Sequence, residues 1–141
     1  MRSISTDIQI DAPPEQVWAV FSDLGSYSEW NPFIREAKGT LAVGERLEMR
    51  MYPVTGRPMG FRPRVLVAER ARAVTWKGIV LVPGLFDGTH KFTLQARDGG
   101  TRFVQAEEFG GVLAPFMGST IASTIESFEL SNEALKKRVE R

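Results

Sequence analysis

The sequence predicts an α+β fold, a curved antiparallel sheet of six to seven strands wrapped around one long C-terminal helix. Three observations carry this expectation. Apolar and polar residues alternate through much of the middle of the chain, the period of half-buried strands. The last segment instead repeats its apolar residues every three or four positions, as an amphipathic helix does. Between the opening strand and the rest stands a proline-led segment with the chemistry of a helix start. Helices confined to one face of an antiparallel sheet give an α+β architecture.

The elements follow in order. Ile4, Thr6, Ile8 and Ile10 alternate with Ser5, Asp7 and Gln9, which predicts the first strand. In "DAPPEQVWAVFSDL", Pro13 and Pro14 have the fixed φ that suits a first helical turn, and Glu15 is favourable at the positive end of the helix dipole. Val17, Trp18, Phe21 and Leu24 form the apolar face, and Gly25 ends it. A second short helix is expected in "SYSEWNPF", stopped by Pro32. Residues 34–40 read as a weak strand. Leu47, Met49 and Met51 share one strand face, and Phe61, Pro63, Val65 and Val67 another. Val74 and Trp76 follow, then Phe86, Gly88, His90, Phe92 and Leu94. Asp98-Gly99-Gly100 is a strong hairpin turn into a strand with Phe103, Gln105, Glu107 and Phe109 on one face. The final stripe is Met117, Ile121, Ile125, Phe128, Asn132, Leu135 and Val139. A sheet this wide twists and curls around a single helix, so the space between them is expected to be a cavity rather than a solid core.

Composition narrows the function. The chain has 141 residues, which suits one domain over 1–141. It has no cysteine and one histidine, which excludes disulfides and argues against a zinc site. Net charge is +1, with Lys136-Lys137-Arg138 the only basic run, so neither nucleic acid nor an anionic membrane is an expected partner. The first residues lack the apolar core of a signal peptide, and the longest apolar stretch, 78–86, is too short for a membrane span. A soluble cytoplasmic protein is the default expectation. "GTLAVG" and "GLFDG" lack the strand–glycine–helix context of a phosphate loop, so no cofactor is expected.

Three polar residues break the apolar inward rows: His90, Gln105 and Glu107. A buried polar group costs several kcal/mol without a hydrogen-bond partner. The three could satisfy one another across a hairpin in a dry core, or line a pocket. A one-residue slip of register would instead turn Glu107 outward and Glu108 inward. Asn132 on the helix stripe is read as bonding to backbone. The turns at 53–60, 78–85 and 110–115 mix Pro and Gly with apolar side chains, and a meander brings them to one end. Pro83-Gly84 fits a type II turn. Such loops suggest a greasy mouth, a dimer contact or a membrane-touching rim, or simply a plug for the barrel's end.

The segments "PPEQVWAVFSDLGSYSEWNPF", "FRPRVL", "TWKG", "FDGTHKFTL", "TRFVQAEEFGG" and "FELSNEALKKRVE" together resemble the SRPBCC superfamily, the START-like helix-grip proteins, most closely the polyketide cyclase/dehydrase-type branch. The resemblance spans essentially the whole chain and implies a deep cavity between sheet and C-terminal helix. It carries no catalytic motif to transfer. It implies cavity walls at Trp30, Phe33, Trp76, His90, Phe92, Glu107, Phe109 and Phe116. The inward rows add Phe61, Gln105 and Ile121 as candidate ligand contacts.

Three functions fit these expectations. The first is binding of a small hydrophobic or aromatic ligand, lipid- or polyketide-like, as carrier or sensor, with His90, Gln105 and Glu107 orienting a polar end. The second is a cyclase or dehydratase in which Glu107 takes a proton and His90 gives one or polarises a carbonyl. The third is an interaction module or homodimer formed through the apolar loops.

Overall fold

The computed structural model describes residues 2–80 and 84–141. Pro83, and with it the expected type II turn, lies outside the described residues. β1 (Arg2–Ile10) is followed by α1 (Pro14–Phe21) and a 3-10 helix (Leu24–Glu29). Then come β2 (Ile34–Lys38), β3 (Glu48–Met51), β4 (Met59–Phe61), β5 (Arg64–Glu69), β6 (Ala73–Val80), β7 (Phe86–Arg97) and β8 (Gly100–Gly110). A 3-10 turn (Ala114–Phe116) leads into α2 (Gly118–Glu140). The architecture is the α+β arrangement expected, with every strand pairing antiparallel.

The strands differ in number and grouping from the expectation of one sheet with six to seven strands. The described residues form a five-stranded sheet, β1-β8-β7-β6-β5, and a three-stranded sheet, β2-β3-β4. The cause is Pro63. The row Phe61, Pro63, Val65, Val67 was expected to be one strand, but proline has no N–H to give to a ladder. The chain breaks there: β4 pairs with β3, and β5 pairs with β6. A single bridge, Arg46 to Arg64, joins the two sheets at the break, and the Pro63 carbonyl accepts from the Leu47 N–H at 2.8 Å. A bulge between Val65 and Val67 then leaves Leu66 exposed.

Pro14 occupies the first turn of α1, which buries Val17 and Phe21. The 3-10 helix buries Leu24 and Tyr27, and the Tyr27 hydroxyl donates to the Phe21 carbonyl at 2.6 Å. It ends at the Trp30-Asn31-Pro32 segment. There the Asn31 carboxamide oxygen accepts the backbone N–H groups of Phe33 and Ile34, each at 2.9 Å, and so launches β2.

The β7–β8 hairpin closes through Asp98 (φ 52°) and Gly99 (φ 78°), the paired positive φ values of a type I′ turn. Gly100 follows because a Cβ there would stand 2.3 Å from the Ile10 carbonyl, where β1 closes over the hairpin.

On α2, Ile121, Phe128, Asn132, Leu135 and Val139 are buried as the stripe predicts, but Ile125 is 37% exposed. Ser127 and Ser131 are buried instead. Both hydroxyls are bonded to backbone: Ser127 accepts from Val54 N–H at 3.1 Å, and Ser131 donates to the Phe128 carbonyl at 3.0 Å. Satisfied hydroxyls can take core positions.

The main core lies under α1, the 3-10 helix and the C-terminal half of α2, around Phe21, Tyr27, Phe92, Phe103, Phe128 and Leu135. A separate small cluster of Phe86, Phe109, Ala114 and Ile121 lies at the start of α2. Between the two the interior opens.

Candidate functional site

The β7–β8 ladder places the three inward polar residues. His90 stands directly opposite Glu107, Phe92 opposite Gln105, and Gly88 opposite Phe109. The register resolves the open question about the two glutamates. Glu107 faces inward with its side chain 17% exposed, while Glu108 faces outward and pairs with Lys91 on the far side of the sheet.

Two backbone carbonyls fix the direction of the whole hydrogen-bond network, because a carbonyl can only accept. Ser131 Oγ donates to the Phe128 carbonyl, so it must accept from Gln105 Nε2 at 3.1 Å. Thr6 Oγ1 donates to the Gln105 carbonyl at 2.9 Å, so it accepts from Asn132 Nδ2 at 2.9 Å. Asn132 Oδ1 therefore faces the Gln105 amide nitrogen, at 2.6 Å. Both arguments leave Gln105 Oε1 pointing at His90 Nε2, 2.9 Å away. Hence His90 carries its proton on Nε2, and Nδ1 is an unprotonated acceptor. Asn132, expected to bond to backbone, instead ties β8 to β1 through two side chains.

The imidazole is stacked between the rings of Phe92 (centroids 4.2 Å apart) and Phe128 (4.6 Å), with Trp76 edge-on at 5.4 Å. Removal from water disfavours its charged form and lowers its pKa to about 3, against a weaker opposing effect from the Gln105 hydrogen bond. His90 is thus held neutral.

Glu107 Oε1 lies 3.6 Å from His90 Nδ1. Burial raises the Glu107 pKa to about 8. Its other oxygen occupies space left by Gly88, where a Cβ would fall 2.1 Å from Oε2. The glycine in the inward row of β7 makes room for the carboxyl group on β8. This pairing is what sequence reading missed, although a glycine inside a strand signals a close approach. Thr6 and Ser131 also escaped it, since small hydroxyl residues carry no periodic signature.

Beyond Glu107 lies a cavity of about 340 Å³. Of the candidate contacts, Phe33, Phe61, Trp76, His90, Glu107 and Phe109 line it. Five do not. Phe116 is 81% exposed, because the 3-10 turn before α2 buries Ala114 and turns the phenyl ring out. Ile121 is buried in the small cluster with the wall residues Phe86 and Phe109 and does not itself line the cavity. Trp30, Phe92 and Gln105 surround a separate interior space of only about 20 Å³, which α1 and the 3-10 helix have filled. Wall residues not anticipated include Met51, Met59, Ile79 and Phe86. Met117, Ser123 and Thr124, also unanticipated, come from α2 and the turn before it.

The apolar loops do gather at one end. Val112 and Leu113 N–H groups bond to the carbonyls of Gly84 and Leu85 at 3.0 and 2.9 Å. The β3–β4 loop contributes Pro53, Thr55, Gly56 and Arg57 to the cavity mouth. A larger depression of about 470 Å³ between the 3-10 helix and β2–β3 is lined by Arg35, Glu36, Lys38, Glu48 and Arg50, whose charges largely oppose one another. Among the described residues no three His, Cys, Asp or Glu side chains group as metal ligands, and no helix is long and apolar enough to cross a membrane.

A curved antiparallel sheet closed over a long C-terminal helix, hollow at one end, is the helix-grip class of fold. The chain belongs to the family described as polyketide cyclase / dehydrase and lipid transport, which matches residues 1–140. No curated protein sequence matches significantly. Among solved structures, the ZhuI aromatase/cyclase from Streptomyces sp. R1128 is similar with a TM-score of 0.79 at 15% identity, over 99% of this chain and 94% of that one. Ara h 8.0201 is similar with a TM-score of 0.75 at 14% identity, over 98% and 97%. Protein CV1439 from Chromobacterium violaceum has a TM-score of 0.70 at 20% identity, over 99% and 97%. At these identities the likeness establishes the fold.

Proposed function

We propose that this protein binds a small hydrophobic or aromatic molecule in the cavity, as a carrier or sensor. The observation that carries the reading is an apolar space of about 340 Å³ with one accessible carboxyl group at its wall. That volume falls in the range of small-molecule sites, and apolar walls with a few placed polar groups are their usual composition. Phe33, Phe61, Trp76, Phe86 and Phe109 offer aromatic surface for burial of a guest at ~25 cal/mol per Å². Two similarities support the same reading: one similar structure is described as an aromatase/cyclase, and the family description includes lipid transport.

Fluorescence titration with N-phenylnaphthylamine tests it. Saturable enhancement is expected, and Thr124→Trp, which fills the space from α2, is expected to abolish it. Absence of saturation in the folded wild-type protein would refute the reading.

A second reading, an acid–base enzyme, rests on the same His90–Glu107 pair. Glu107 takes the role opposite to the sequence expectation: a carboxyl group kept protonated by burial donates a proton. His90, held neutral by burial, serves through its Nδ1 lone pair as a hydrogen-bond acceptor.

A further inference from the structure

The hydrogen-bonded polar side chains around Glu107 turn lone pairs toward a guest. His90 Nδ1 is an acceptor, because the network to Gln105 fixes the proton on Nε2. On the opposite wall, Ser123 Oγ and Thr124 Oγ1 both donate to the Thr120 carbonyl, at 3.0 and 2.8 Å. Only their lone pairs remain for a guest. Among the described residues Glu107 has no Lys or Arg partner, and the ionisable side chain paired with it is the neutral His90. The Trp76 Nε1–H, a buried donor nearby, has essentially no accessible surface and so does not meet the cavity. Arg57, the third ionisable side chain on the wall, lies exposed on the mouth loop. A buried carboxyl group without a cation is unfavourable as an ion, and aromatic walls attract cations through their ring faces.

Building on the ligand-binding reading, we propose that the cavity selects an apolar amine, whose ammonium group docks on the Glu107 carboxylate and donates to His90 Nδ1, while its hydrocarbon part fills the aromatic chamber. For a carboxylate or phosphate head the chamber offers, among the described residues, no interior cation: Arg57 lies at the exposed mouth with Thr55 and Thr120, and ionised Glu107 repels an anion. The proton balance is explicit. Below about pH 8 the free protein holds Glu107 as the acid. Ammonium binding then leaves a carboxylate–ammonium pair and releases one proton to solvent. Affinity therefore rises with pH up to about 8, and His90, neutral down to about pH 3, takes no part in the titration.

The test compares naphthylethylamine, naphthylethanol and naphthylacetate by calorimetry with the full chain, at several pH values and in two buffers of different ionisation heat. The expected result is that the amine binds at least about tenfold tighter than the alcohol, and the acetate weakest of all. Proton release on amine binding at neutral pH is also expected. Glu107→Gln should erase the amine's advantage, with its fold checked by circular dichroism. Gly88→Ala, whose methyl displaces the carboxyl group, supplies a second variant expected to reduce it. If the alcohol or the acetate binds as tightly as the amine, the inference fails while the hydrophobic-ligand reading stands. If none of the three binds, the inference fails, and the N-phenylnaphthylamine titration decides separately whether the hydrophobic-ligand reading fails with it.

Discussion

Two sheets and one long helix enclose two interiors of opposite character. Toward the C-terminal end of α2, Phe21, Tyr27, Phe103 and Leu135 close the space to about 20 Å³. Toward the start of α2, the two sheets leave about 340 Å³ open. The difference lies in what covers the curve. At the closed end, α1 and the 3-10 helix push aromatic side chains into the sheet's concave face, whereas the open end is covered by loops and by small residues of α2, Ser123 and Thr124. The His90–Gln105–Asn132–Thr6 network marks the boundary between them. This chain is hollow where neither α1 nor the 3-10 helix fills the space under the sheets.

The largest test of this contrast is truncation on either side. Phe103→Ala, in the closed half, is expected to cost about 3–5 kcal/mol in denaturant unfolding. Phe61→Ala, at the cavity wall, is expected to cost less than about 2 kcal/mol, because one side of the ring already lacks packing partners. Equal losses would mean that the two halves are packed alike.

The boundary itself comes next. Gln105→Leu leaves His90 Nε2–H, Ser131 and Asn132 without their partner, with an expected loss of about 2–4 kcal/mol. A neutral effect would show that the network does not brace the wall.

A smaller effect follows from pH. Glu107 has its pKa raised from 4.5 to about 8, so the native state holds the extra proton, and stability is lost as pH rises toward about 8. His90 has its pKa lowered from 6.5 to about 3, so the unfolded state holds the extra proton, and stability is lost as pH falls from 6.5 toward about 3. Between pH 4.5 and 6.5 the two slopes oppose and cancel. These two groups therefore give a plateau over that interval, with a decline of roughly 1–2 kcal/mol on its alkaline side. Glu107→Gln should flatten the alkaline decline, as read by urea midpoints across pH. Stability that climbs steadily from pH 6.5 to 8 in the wild type would contradict the placement of Glu107.

The smallest effect belongs to the outer face. Lys91→Ala removes the exposed pair with Glu108 and should change stability by less than about 1 kcal/mol, diminishing further in salt.

The sequence made much of this legible where its signal is periodic. The alternation in β7 and β8 identified His90, Gln105 and Glu107 as one inward set, and the Asp98-Gly99 turn fixed their register. The terminal stripe located α2 but included Ile125, because a drifting stripe does not show where the sheet's edge leaves a helix uncovered. Pro63 was visible, yet its breaking of the sheet into two requires knowing that neighbours compete for the same backbone groups. Dividing the aromatic residues between a filled and an open interior was out of reach. Trp30 and Phe92 look like Phe33 and Phe61 in sequence, and only the position of α1 separates them.

The central claim is that the open half admits a guest and the closed half does not. Backbone and side-chain NMR shifts recorded during titration with N-phenylnaphthylamine test it most directly. Saturable shifts concentrated at Gly88, His90, Glu107, Phe109 and Thr124, with Phe21, Phe103 and Leu135 unmoved, are the result expected here. Shifts absent at saturating probe, or spread evenly over both halves, would contradict it.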